Sequence, residues 1–181
     1  FPRLGAVPEG VTTALAPAVA TYTAVLVADT SIPAWHEARD ELPFLFAASA
    51  GATAGGAGLA LSPVAENGPA RAWAVAGALG EVAASKVMER RLGDVGEPYQ
   101  TGPAGILSRA ATACALGGAA VGLFRGKRRG AAIAAGALVI AGSLLERFAV
   151  LEAGRQSSAD PKYVVKPQRE RLERAQLVEP E

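Results

Sequence analysis

The feature that most constrains this chain is an uncharged stretch over residues 42–65. Its first part, LPFLFAASAGATAGGAGLAL, shows no polar face at helical spacing, so a helix formed there would be apolar on every side. Roughly 20 helical residues cross a bilayer core about 30 Å thick. A chain of 181 residues is too short to enclose several such helices in a protein core. We therefore favour a membrane protein over the alternative, a water-soluble alanine-rich bundle.

Four further stretches are predicted to span the membrane. The one that precedes the long apolar run is uncharged and contains Pro17, which can kink a helix but is tolerated in a membrane. The three later stretches reach spanning length only if ionisable residues lie near their ends, where Lys and Arg can extend toward water. The predicted spans are residues 11–28, 42–62, 70–88, 104–124 and 131–151. The predicted fold class is all-α: a polytopic transmembrane bundle over residues 1–154, followed by a polar extramembrane tail at 155–181.

Charge and cysteine content exclude several kinds of protein. A net charge of +1 provides no basic field for nucleic acid. The only cysteine, Cys114, lies in an apolar run and is interpreted as a packed thiol, so no internal disulfide and no cysteine metal site is expected. Residues 1–10 lack a signal-peptide core and are interpreted as a loop. Because the chain begins with Phe1, we expect a fragment or a processed product.

Five spans would place residues 1–10 and the basic loop RGKRRG (125–130) on one side of the membrane. The acidic loop after residue 28, the loop after residue 88 and the tail would share the other side. The RGKRRG loop favours a cytoplasmic location for its own side. Lys86, Arg90, Arg91 and the tail favour the reverse, so both orientations stay open.

Small residues dominate the predicted helices. Gly51 and Gly55 form a GxxxG pair, and small residues let helix backbones approach closely in lipid. A tight bundle within one chain is one interpretation, and a dimerisation face is the other.

The loop between the first two spans, ADTSIPAWHEARDE, collects polar chemistry. In one interpretation it is an interfacial turn, with Trp35 at headgroup depth and with Asp40 and Glu41 capping the next helix. In the other, its titratable groups serve a proton path or a docking contact: His36, Glu37 and Asp29. A lone histidine among scattered carboxylates lacks the spacing of a metal site, so no metal is predicted.

Ionisable residues also occur inside the predicted spans. Glu81 is expected either to pair with Arg109 or Arg147 or to belong to a proton relay. Glu146 and Arg147 are adjacent and point to different faces of a helix, so we interpret them as a charge cluster at a helix end, with a proton relay as the alternative. Glu146, like Glu81, is expected to face the bundle interior. Tyr22 is either an aromatic belt residue or a hydrogen-bonding contact for a quinone.

Several motifs carry a resemblance to a known family. The longest is YTAVLVADTSIPAWHEARDELPFLFAASAGATAGG, in which an aromatic and Thr-rich helix end leads into a P-x-W-H-E-A loop and an L-P-F-L-F helix start. Shorter ones are AENGPAR (65–71), MERRLG (88–93), EPY (97–99) and ERFAVLEAGRQSSADPKYVVKPQRER (146–171). Together they resemble the C-terminal part of the NrfD-like membrane subunit of polysulfide-reductase-type complexes.

The resemblance implies a non-catalytic integral membrane subunit without haem. It would exchange electrons and protons with a quinone or quinol, menaquinone or ubiquinone, in a bacterial or archaeal cell membrane. Its implied partners are the lipid bilayer, a ferredoxin-like iron–sulfur subunit and a molybdopterin oxidoreductase subunit. Family members have more spans than this chain supplies, and their quinone pocket is associated mainly with the earlier helices. Two other functions stay open: a transporter or proton channel without redox partners, and a purely structural anchor.

Overall fold

The computed structural model describes residues 2–169, which form helices and no strand. A short 3-10 helix, Gly93–Gly96, follows the fourth α-helix, and residues 162–169 are also helical. The α-helices are α1 (Pro2–Ala28), α2 (Pro33–Glu37), α3 (Leu42–Leu61), α4 (Gly68–Leu92), α5 (Glu97–Gln100), α6 (Gly102–Arg125) and α7 (Arg129–Ala159). The predicted fold class, an all-α bundle, is confirmed.

Four helices of the described part are long and apolar enough to cross a membrane: Val7–Ala28, Leu42–Leu61, Gly102–Arg125 and Arg129–Ala159. These correspond to four of the five predicted spans and indicate a membrane protein. The fifth prediction falls on α4, which has 25 residues and would extend about 37 Å at 1.5 Å per residue. Its charged side chains lower its hydropathy, yet it packs in the bundle between α3 and α6.

The bundle is built around α3, α4, α6 and α7. The most extensive packing joins α6 to α7 and α3 to α4, and α3 also packs along α7. Helix α1 lies at the edge against α3, where Ala24 and Ala28 near its C-terminal end are buried. The preceding turns of α1 expose Leu15 and Val19, so most of this helix faces outward.

Glycines set the closest helix contacts. A side-chain carbon on Gly55 of α3 would overlap the backbone of Ala74 in α4, and one on Gly77 of α4 would overlap the backbone of Ala52. The next glycine of α3, Gly56, faces α7 instead, where a side-chain carbon would lie 3.0 Å from a carbonyl oxygen. The glycine-rich stretch of α3 is therefore used for packing inside this chain, on two adjacent faces.

The prediction of a loop at residues 2–10 is wrong. These residues are the first turns of α1, and proline at a helix start costs no hydrogen bond. Helix α7 continues to Ala159, beyond the end of the span predicted at residues 131–151. It ends there because Asp160 precedes Pro161 and adopts an extended conformation, as residues before proline usually do.

The two ends of the bundle differ. At one end, which we call the α2 end, α2, the 3-10 helix, α5 and residues 162–169 meet the C-terminal ends of α4 and α7. At the other, which we call the basic end, the loops of residues 62–67 and 126–128 lie together, joined by hydrogen bonds. This agrees with the predicted grouping of the acidic loop, the loop after residue 88 and the start of the tail on one side.

Candidate functional site: a buried carboxylate and serine network

Helix α4 carries a polar row through the bundle. Glu81, Ser85 and Glu89 are four residues apart, so their side chains lie one above the other on one face of the helix. All three residues are buried, with 3%, 2% and 9% of their surface exposed. The row therefore faces neighbouring helices rather than lipid.

Helix α7 supplies the complementary groups. The Ser85 hydroxyl donates a 2.9 Å hydrogen bond to Glu146 Oε1 of α7, and the Ser143 hydroxyl of α7 donates a 2.8 Å bond to Glu81 Oε2. Each helix thus gives one serine to a glutamate of the other. Because hydroxyl groups both donate and accept, these pairs satisfy buried carboxylates without a full countercharge.

At the Glu89 end the network reaches a cation. Lys86 Nζ lies 2.7 and 2.8 Å from the two carboxylate oxygens of Glu89, and the lysine side chain is 42% exposed. The hydroxyls of Ser85 and Ser108 also approach Glu89 Oε1, at 3.5 and 3.4 Å. The buried row therefore begins beside a partly exposed lysine and runs inward.

At the Glu81 end one oxygen has no hydrogen bond. Glu81 Oε1 is buried and unpaired among the described residues. Arg147, one of its two predicted partners, lines the same small cavity and interacts with it electrostatically, while its guanidinium lies 3.9 Å from the ring centre of Phe46. The other predicted partner, Arg109, donates to the carbonyl of Gln100 instead.

The space around these carboxyl groups is small. One cavity bordered by both Glu81 and Glu146 has a volume of about 10 Å³, close to the least that admits a water molecule. A second, beside Phe46 and Arg147, has essentially none. The site can hold protons on closely packed groups, but it offers no room for a substrate.

The short helix α2 of the PAWHE segment is fixed to α7 and α5. The indole N–H of Trp35 donates a 2.7 Å hydrogen bond to the carbonyl of Val150, and its ring packs directly against Gly154. The phenol of Tyr99 donates to the carbonyl of Ala34 at 3.2 Å, and burial raises the pKa of that phenol, which keeps it a neutral donor. Trp35 is thus a packing anchor for the loop.

The predicted caps of α3 do not form. Neither Asp40 nor Glu41 caps the helix with its side chain, because both carboxylates face Arg91 of α4. Arg91 forms a two-pronged contact with Glu41, including a 2.6 Å bond from Nη2 to Oε2, and also donates to the carbonyl of Glu37. A full positive charge held by two hydrogen bonds attracts a carboxylate more strongly than the partial charge of a helix end.

The structure separates the loop candidates from Glu81. Asp29 and His36 are exposed at the α2 end, and Glu37 is half-buried beside Arg91. Arg91 follows Glu81 by ten residues of α4, a separation of about 15 Å along the helix. His36 and Glu37 border a surface cavity of about 420 Å³ at that end. Tyr22 is 61% exposed on α1, outside both regions.

Sequence reasoning singled out Glu81 and predicted that Glu146 also faces the bundle interior, where it is 5% exposed. Glu146 lies thirteen residues before the end of α7, so it is not part of a helix-end charge cluster. The four-residue spacing on α4 was the signal that could have revealed Ser85 and Glu89. The partners on other helices carry no such signal in sequence: Ser108 and Ser143.

No family model, no curated protein and no solved structure matches this chain. Its function is therefore inferred from its residues and their geometry.

Proposed function

We propose that this chain is a non-catalytic membrane subunit of a quinone-linked oxidoreductase complex, in a bacterial or archaeal cell membrane. Within it, the carboxylate and serine network carries protons. The observation that supports this most is the pair of reciprocal bonds, Ser85 to Glu146 and Ser143 to Glu81, inside a membrane bundle. The link to quinone and to an oxidoreductase complex is supported by the resemblance of the P-x-W-H-E-A loop and its flanking helices to NrfD-like subunits.

Energetics favour a chemical role for the network. A charged residue near the centre of a membrane helix costs about 2.5–3.5 kcal/mol. Alanine and glycine already allow close packing where α3 crosses α4 and where α6 crosses α7. Ionisable groups kept inside a membrane bundle are typical of proton relays. The packing of the helices does not require the buried glutamates of the network, which are Glu81, Glu89 and Glu146. Proton transfer explains their presence best.

The order of groups suggests a direction along α4. Lys86 and Glu89 lie at the partly exposed edge, Ser85 bridges Glu89 and Glu146, and Glu81 is innermost. A hydroxyl can accept a proton from one carboxyl group while donating its own to the next. The cavity between Glu146 and Glu81 is near the size of one water, which would complete the series.

The cavities beside the buried carboxylates do not fit a bound quinone. Ligand sites of this kind are mostly apolar clefts of roughly 300–1,000 Å³. The cavities beside the buried carboxylates reach only about 10 Å³, and those of several hundred Å³ at the bundle ends are bordered by charged side chains. Tyr22 borders none of these cavities. We assign quinone binding to parts of the complex outside these helices.

The α2 end is the proposed face for the ferredoxin-like iron–sulfur subunit and, through it, a molybdopterin subunit. It presents exposed polar groups, among them Asp29 and His36, on a segment that Trp35 and Tyr99 hold rigidly. A rigid surface of this kind keeps a fixed geometry toward a partner.

The test uses the membrane complex purified with its partners. Glu81→Gln and Glu146→Gln keep the side-chain shape but remove the exchangeable carboxyl proton, and Glu66→Gln at the exposed loop of residues 62–67 is the matched control. Proton uptake and electron transfer from a quinol analogue are measured together in sealed vesicles. We expect both buried variants to lose proton movement per electron while the control retains it.

Other outcomes favour the other functions. Proton flux in liposomes that contain this protein alone would indicate a channel without redox partners. Unchanged proton movement and turnover in both buried variants would leave only a structural anchor. Purification without any iron–sulfur partner would contradict the complex itself.

A further inference from the structure

The basic end of the bundle contains a cation cluster that the proposed function does not use. A cavity of about 590 Å³ is bordered by two apolar residues, Leu123 and Phe124, and by four cations: Arg71, Arg125, Lys127 and Arg128. The cations come from two places in the chain, the start of α4 and the connection between α6 and α7. The fold therefore assembles one basic site from separate segments.

The cations at the two ends of the bundle differ in whether they form salt bridges with carboxylates. At the α2 end, Arg39, Arg91, Lys162 and Lys166 form salt bridges with carboxylates, and Arg90 forms none within the described residues. At the basic end, none of the four cations of the cluster has a salt bridge within the described residues 7–169. Four cations without countercharges repel one another, so the site is complementary to an anion.

The position of the cluster is fixed by backbone contacts. The amide of Asn67, which is 1% exposed, donates a 3.1 Å hydrogen bond to the carbonyl of Gly126, and Arg129 donates to the carbonyl of Ser62 at 2.9 Å. Gly126 also lies against the aliphatic stem of Arg71, where a side-chain carbon would approach Cδ to 2.8 Å. These contacts hold Arg71 beside the RGKRRG loop.

An apolar surface adjoins the cations. Phe124 is 81% exposed, Leu123 is 60% exposed and Leu61 at the end of α3 is 79% exposed. These residues lie at the ends of helices that are long enough to cross the membrane. A soluble anion would use only the cations, whereas a phospholipid has an anionic head and apolar chains that match both surfaces.

We propose that this cluster binds the headgroup of an anionic phospholipid. The phosphate contacts Arg71, Arg125, Lys127 and Arg128, and the acyl chains lie along Leu123 and Phe124. Basic side chains close to a membrane helix end attract anionic headgroups by about fivefold in affinity for each charge.

Binding is measured on the intact protein in detergent, by native mass spectrometry with phosphatidylglycerol and phosphatidylcholine. The test variant replaces Arg71, Arg125 and Arg128 with glutamine. The matched control replaces Arg39, Arg155 and Arg169, three exposed arginines near the α2 end, and so changes the net charge equally. Inorganic phosphate is added as a separate competitor.

We expect the unmodified protein and the control to retain phosphatidylglycerol over phosphatidylcholine, and the test variant to lose that preference. Each single substitution, including Lys127→Gln, should weaken retention about fivefold, which keeps the test decisive if the triple variant does not fold. Equal retention of the two lipids would overturn the proposal. So would an equal loss in the control, or displacement of the lipid by millimolar phosphate.

Discussion

The hydroxyl of Ser85 in α4 donates a 2.9 Å hydrogen bond to Glu146 Oε1 in α7, at a depth where both residues are almost fully buried. Ser143 returns the same kind of bond from α7 to Glu81. Two helices of a membrane bundle are thus held together by a neutral donor and a carboxyl acceptor at each contact. The same atoms join the two helices and, in the proposed function, pass protons.

Ser85→Ala should destabilise the protein by about 1–3 kcal/mol, because Glu146 loses its donor while it stays buried. Thermal unfolding in detergent measures the change. Ser158→Ala is the control, since that exposed hydroxyl bonds only to the carbonyl of Arg155 near the end of α7. Equal unfolding temperatures for both variants would show that the Ser85 bond contributes nothing.

Gly55→Ala should weaken the crossing of α3 and α4, because the added methyl group meets the backbone of Ala74 and cannot be relieved by a side-chain rotation. Overpacking of this kind costs about 1–3 kcal/mol. Gly117→Ala adds the same methyl group to α6, where no atom of another described helix lies within 4 Å, and serves as the control. A melting temperature for Gly55→Ala that matches the control would contradict the crossing geometry.

Gly154→Ala should displace the indole of Trp35 and break its hydrogen bond to the carbonyl of Val150. In a Trp73→Phe background Trp35 is the only tryptophan, so its fluorescence should shift toward longer wavelength as the ring becomes more exposed. Gly130→Ala, at an open position in the first turn of α7, should leave the spectrum unchanged. An unshifted spectrum in Gly154→Ala would show that the ring does not lie on this glycine.

Docking of residues 162–169 onto the α2 end should depend on pH at both extremes. The hydrogen bond from Lys166 lowers the pKa of Asp94 below its usual 3.8. The contribution of this pair to docking is therefore present above pH 3.8 and is lost as pH falls through the lowered pKa. The hydrogen bond to Glu97 raises the pKa of Lys162 above 10.5, so that contribution is present below 10.5 and is lost as pH rises through the raised pKa.

Hydrogen exchange of the backbone amides of residues 162–169 measures this docking. Protection, corrected for the intrinsic exchange rate, should be constant between the lowered pKa of Asp94 and the raised pKa of Lys162. It should decrease below the first and above the second. Both ion pairs are exposed, so added salt should also reduce protection. Asp94→Asn should lower protection at neutral pH and make its loss in acid smaller, because only the Lys162–Glu97 pair then titrates, and should leave the alkaline limit. If protection does not change with pH or salt, apolar contacts of Tyr163 alone hold residues 162–169 in place.

The apolar architecture could be predicted from sequence because membrane helices are selected by composition and length. The run over residues 42–62 matches α3 within one residue, since its apolar character begins and ends sharply. Helix α4 was also predicted, although its hydropathy alone does not reach that of the other four. Its carboxylates Glu81 and Glu89 lie on an inward face, which hydropathy averaged along a helix does not detect.

The site could be predicted only in part. Glu81 was singled out because it interrupts an apolar run, but its hydrogen-bond partner, Ser143, is 62 residues away in sequence and on another helix. The loop candidates His36, Glu37 and Asp29 were chosen for chemical type, and the structure places them at the end of the bundle. Only three-dimensional packing decides which serine faces which glutamate.

The inward face of α4 also matters for how the protein is made. A helix with Glu81 and Glu89 emerges from the ribosome before α7, which carries Ser143 and Glu146, has been synthesised. Until then, α4 contacts the more apolar α3 through the glycine crossing and is joined to it by the six-residue connection of residues 62–67. We therefore expect stable insertion of α4 into the bilayer only after α7 has been synthesised.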